Sequence, residues 1–160
     1  MATTAAQASV TTGTAIKTMI QVATPATRQI AVRAWGFTVD DPPGADAIVE
    51  LLQTDVAATV TAHIASGVQP VNPGMPASLV TLGTSATGYT ATAEGTTTAS
   101  RIFAAVSLSS VSAEAAPFMS YRREFADYEI PIVAVSTFLR VRATTPTTAV
   151  DLRCWVIWDE

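Results

Sequence analysis

This chain of 160 residues has one histidine (His63), one cysteine (Cys154) and one lysine (Lys17). A lone cysteine excludes an intramolecular disulfide framework, so the fold is expected not to depend on an oxidising compartment. A lone histidine with no cysteine nearby falls short of the three or four ligands a zinc site takes. Charge is sparse, at 14% of residues with a net charge of −4. That leaves no clustered basic footprint for duplex DNA, and nucleic acid is not expected as a partner. No apolar run approaches the roughly 20 residues that span a bilayer, so no membrane partner is expected. Residues 1–14 lack the basic and apolar regions of a secretory signal, and the chain reads as soluble and assembled in a cytoplasm.

What the sequence does have is 49% apolar residues and 25 threonines. Low charge with high apolar content excludes a disordered chain, and the length suits one domain with one sizeable core. Threonine is β-branched, packs well on a pleated sheet and keeps an exposed sheet face wetted. The composition therefore predicts an all-β protein.

Residues 1–14 (MATTAAQASVTTGT) show no apolar periodicity and read as a flexible N-terminal arm, with 15–160 as the folded domain. From residue 15 onward the spacing has period two. Ile16, Ile20 and Val22 oppose Lys17 and Gln21; over 29–39, Ile30 and Val32 oppose Arg33, Trp35 and Phe37. Gly36 between two aromatics marks either a bulge or a close backbone approach. Asp40-Asp41-Pro42-Pro43-Gly44 is a turn. Strands are expected at 47–53 and 57–65, the first over a rival helical reading. The proline-rich stretch 66–76 has the length of a crossover. Residues 83–95 read as a turn, a threonine-rich strand and another turn, and further strands are expected at 96–108, 130–143 and 149–158. In the last, Val150, Leu152, Cys154, Val156 and Trp158 line one face. Short strands separated by Pro and Gly turns predict a single antiparallel β-sandwich, jelly-roll-like in topology.

Few residues suggest chemistry. His63, in Thr61-Ala62-His63-Ile64, reads as a surface or hydrogen-bonded sheet histidine. As the base of a Ser-His-Asp triad it lacks a G-x-S-x-G elbow and an evident orienting carboxylate. Cys154 lies on an apolar face and reads as an inert small hydrophobe. Asp40, Asp41 and Asp46 crowd one loop but lack EF-hand spacing and read as solvated acids. Gly83-Thr84-Ser85-Ala86-Thr87-Gly88 is similar to a phosphate loop in its glycines alone; the lysine and helix start are missing. The chain is expected not to be an enzyme and to carry no cofactor or metal. The contact-ready stretch is 121–129, since arginine and aromatic residues concentrate at interface hot spots. Tyr121, Arg122, Arg123 and Phe125, with Trp155 exposed by the alternation of the last strand, form the expected interface; a solvated loop with internal ion pairs is the alternative.

Three segments, Asp55-Val56-Ala57-Ala58-Thr59-Val60-Thr61-Ala62-His63, residues 82–95 (LGTSATGYTATAEG) and the ending Cys154-Trp155-Val156-Ile157-Trp158-Asp159-Glu160, resemble the capsid decoration, or cement, proteins of tailed bacteriophages, especially those of actinobacteria. The resemblance runs from about residue 14 to the C-terminus. It implies a jelly-roll-like virion protein on the outer capsid surface, a homotrimer that binds the major capsid protein and stabilises the head lattice. A glycan- or receptor-binding β-sandwich of a phage particle is the alternative, because fold alone does not fix function.

Overall fold

The computed structural model describes residues 1–3, 10–40, 42–110 and 119–160. Within them lie twelve strands, β1 (Ala2–Thr3), β2 (Val10–Thr11), β3 (Ile16–Ala23), β4 (Ile30–Val39), β5 (Ala47–Thr54), β6 (Thr59–Ala62), β7 (Gly88–Ala93), β8 (Ser100–Leu108), β9 (Met119–Glu124), β10 (Ile132–Val133), β11 (Phe138–Thr144) and β12 (Asp151–Asp159). Every pairing between them is antiparallel.

The strands form two sheets packed as a sandwich. In the first, β12 pairs with β4; β1 and β2 share the outer edge of β12, and β9 and β10 share the outer edge of β4. The second runs β6-β7-β3-β11-β5-β8. Setting aside β1, β10 and the β6–β7 pair leaves β2-β12-β4-β9 facing β3-β11-β5-β8. This order, in which the chain crosses repeatedly between sheets, is that of a jelly roll. The N-terminal segment begins the roll: Ala2 pairs with Val156 and Val10 with Leu152, while the intervening 4–9 lie outside the described residues.

Period-two burial builds the core. Trp35, Phe37 and Val39 stand opposite Val156, Cys154 and Leu152, all buried, and face Leu139, Val141, Val22 and Ile20 of the other sheet. A bulge at Ile157/Trp158 shifts the phase of β4, so Val32 and Ile30 also turn inward. A second bulge, at Val141/Arg142, does the same for β3 and brings Met19 into the core beside Ile20.

The structure corrects the strand map in three places. The expected strand at 130–143 is two strands separated by a turn in which Ser136 takes φ 53°. The charged stretch, which carries no strand signal of its own, forms strand β9 over Met119–Glu124, because β4 offers it a free edge. Segment 66–76 is not a crossover; it belongs to a long connection between β6 and β7, which pair with each other.

That β6–β7 excursion adds to the outer edge of β3 and folds back over the outer face of the second sheet. Ala58, Val60 and Ala91 form a small apolar cluster of their own. Gln21, expected on a polar face, is completely buried. Its Nε2 donates to Ala58 O (3.2 Å) and Ala86 O (2.6 Å), and its Oε1 accepts from Ala58 N (2.8 Å). Arg140, one strand over, donates from Nη1 to Glu94 O (3.2 Å) and from Nη2 to Val56 O. The Glu94 carboxylate lies 3.5 Å from Arg140 Nη1 and accepts from Thr18 N (2.5 Å) and Thr18 Oγ1 (2.6 Å). Burial lowers the pKa of the guanidinium, and Glu94 draws it back up.

Candidate functional site

The five residues expected at the interface come together around β9, but in two groups. Tyr121 turns toward the core and completes an aromatic trio, with its ring centroid 5.3 Å from both Trp35 and Phe37. Phe125 is buried. Arg123 lies over the Phe125 ring at 4.9 Å and reaches Glu129 at 3.5 Å.

On the outer face of the first sheet, Arg122 and Trp155 flank Gly36, to which both are register partners. A Cβ at Gly36 would sit 2.5 Å from Trp155 Cζ2 and 2.5 Å from Tyr121 O, so only glycine lets the indole lie across the strand. Of the two readings of Gly36, close approach is the one realised; the bulge lies farther along β4. The Arg122 guanidinium lies 5.7 Å from the Trp155 ring centroid and pairs with Glu124. Trp155 is therefore half-buried rather than exposed. Nearby, Arg33 is held by Asp159 at 2.5 Å and Asp127 at 3.3 Å. Arg33 and Arg122 are thus engaged within the chain, and such exposed pairs, screened by solvent, contribute little to stability.

The remaining candidates also serve the fold. His63 is buried rather than on the surface, 5.0 Å from the Tyr89 ring, with its backbone N–H on Thr87 O (3.1 Å). Gly67 packs on its imidazole so closely that a Cβ there would meet Nδ1 at 2.4 Å. Cys154 is fully buried, and desolvation pushes its thiol pKa far up, as its apolar face implied. Asp46 accepts from Ser110 N (3.1 Å), and the Asp40 backbone N–H donates to Asp151 O (3.0 Å); Asp41 lies outside the described residues. The Gly83–Gly88 stretch is a turn leading into β7, with Ala86 N on Gly83 O (3.1 Å).

Large apolar side chains are left bare near β9, at Met119, Tyr128 and Ile132, and also in two other places. Ile16 and Ile48 flank Thr144 in one cross-strand row on the outer face of the second sheet, and Ile102 is exposed on its edge strand β8. Ile64, Val71, Met75, Leu79 and Leu82 are exposed along the β6–β7 connection. The sequence carried a signal for that connection, since no Asp, Glu, Lys or Arg occurs from 56 to 93. Arginine and aromatic content drew attention to 121–129 instead.

Compared with models of protein families, with curated proteins and with solved structures, the chain matches none.

Proposed function

We propose that this chain is a structural virion protein that binds the outside of a phage capsid as a decoration protein and, as a trimer, stabilises the head lattice by contacting the major capsid protein. The observation that carries the reading is a jelly-roll sandwich whose rare reactive groups are spent on packing: His63 under Tyr89, Cys154 in the core and Arg140 beneath the β6–β7 excursion. What the molecule offers a partner is surface. The resemblance of 55–63, 82–95 and 154–160 to decoration proteins supports the same reading.

A decoration protein acts by repetition. Each copy makes a modest contact, and lattice symmetry with trimeric linkage multiplies it, because tethered second and third contacts form at high effective concentration. The test mixes the purified protein with heads assembled without it. Saturable co-sedimentation and a higher temperature of DNA release are expected; absence of binding refutes the proposal. A glycan-array hit together with absent head binding would favour the glycan-binding alternative, for which Trp155 laid flat on Gly36 is the feature to examine.

A further inference from the structure

Between β6 and β7 the chain runs from 63 to 87 with one short 3-10 turn, Ala65–Gly67, as its sole regular element. Connections this long inside a small domain are uncommon unless they carry function. Both ends of 64–82 are fixed. At the near end the Met1 amine donates to Gln69 O (3.0 Å), Gln69 N donates back to Met1 O (3.2 Å), and Val68 is buried beside its bridge partner Ala2. At the far end the Glu160 carboxylate, itself held by Trp158 Nε1 (3.0 Å), accepts from Ser78 Oγ and from Leu79 N (2.7 Å). Thr81 then bridges to Ala23 while Val80 enters the core.

The span between is stiff. Pro70, Pro73 and Pro76 fix φ at three positions. Asn72 closes a turn by accepting Gly74 N on Oδ1 (3.0 Å) and Met75 N on its carbonyl (3.0 Å). On this frame Ile64, Val71, Met75 and Leu79 are 72%, 67%, 60% and 54% exposed. Apolar surface displayed on a braced segment marks an interaction site, and the bracing lowers the entropy lost on docking.

The composition of the segment selects the partner. With no Asp, Glu, Lys or Arg from 56 to 93, the segment has no ionised side chain of its own for a charged surface, and the charges beside it, the Met1 amine and the Glu160 carboxylate, are engaged in bracing it. With no lysine, arginine or aromatic residue in 64–82 it also lacks the anchors of a membrane-interface segment. We infer that 64–82 is the face that seats on the particle, in an apolar contact with an uncharged protein surface of the capsid lattice. This rests on the reading of the chain as a particle-surface protein, and it moves the contact away from the arginines of β9.

The test uses the full chain, heads assembled without it, and the variants V71D/M75D and R122A, each checked for folding by circular dichroism. V71S/M75S replaces the aspartate pair if that variant unfolds. Wild type should bind, and binding should persist at about 1 M salt, where screening acts within about 3 Å. V71D/M75D should bind about a hundredfold more weakly, because two carboxylates would be desolvated in an apolar contact. R122A should bind like wild type. If wild type binds and V71D/M75D binds equally well, the assignment of the face falls and the functional proposal stands; if wild type does not bind, both fall. Flotation of wild type, but not V71D/M75D, with phosphatidylcholine vesicles would overturn the inference in favour of a membrane. Dissociation of a wild-type oligomer by V71D/M75D would overturn it in favour of self-association.

Discussion

Arg140→Met tests how the β6–β7 excursion is held down. Arg140 is 1% exposed, and its guanidinium donates to the carbonyls of Val56 and Glu94, one on each side of the excursion. Methionine keeps the length and apolar stem but removes every donor. A hydrogen bond from a charged donor contributes about 1.5–3 kcal/mol, and a buried carbonyl left without one costs about 1–3 kcal/mol. Against this, a buried charge is no longer desolvated, a relief of several kcal/mol, and Arg140 Nε has no partner to lose. The net loss is about 2–4 kcal/mol, which for a domain of this size lowers Tm by about 5–15 °C. Glu94 retains Thr18, so the damage should be local. Hydrogen exchange should show amides of β7 opening well before those of β4 and β12. A variant as stable as wild type, with β7 exchanging no faster, would refute the idea that this side chain clasps the excursion to the sheet.

Four further outcomes follow from the structure. Gly36→Ala should destabilise by about 2 kcal/mol, because the clash with Trp155 and Tyr121 O outweighs the strand propensity gained; urea midpoints measure it. Thr90, a β-branched residue at φ 51° with a buried hydroxyl lacking a hydrogen-bond partner, should tolerate Thr90→Gly with a gain of about 1 kcal/mol in the same assay. Cys154 stays protonated in the fold and ionises when unfolded, so stability should be unaffected below pH 9.0 and fall above it by about 1.4 kcal/mol per pH unit, a slope that Cys154→Ala should remove. Partial burial pushes the Glu160 carboxyl up, but bonds from Ser78, Trp158 and Leu79 bring it below 4.5. Its hold on the connection is thus complete above that pH and lost as pH falls through the lowered value, read as faster exchange at the Leu79 amide; Glu160→Gln should shrink that pH dependence.

The jelly roll was legible where burial depends on one strand and its immediate neighbours. β12 alternates because one face meets the core and the other meets water, and Gly36 between two aromatics signalled a bulge or a close approach, of which the close approach is realised. What stayed hidden depends on what covers a sheet from outside. Nothing near Gln21 or Arg140 in the chain says that 56–58 and 86–94 will fold over them, so a polar face became a buried clasp. Ring stacking within the chain is equally invisible to composition. Tyr121, Arg122, Arg123, Phe125 and Trp155 have the residue types of a hot spot, yet each finds a partner in its own fold. The exposed Val71 and Met75 could be found from a different cue, the absence of charge over 56–93.

On the function proposed above, the molecule seats the braced segment 64–82 on a capsid. Cryo-electron microscopy of phage heads incubated with the purified protein tests that directly. Jelly-roll density is expected on the outer surface, in trimers, with 64–82 against the major capsid protein. Particles that lack the chain, or carry it with 64–82 facing solvent and β9 against the lattice, would contradict it.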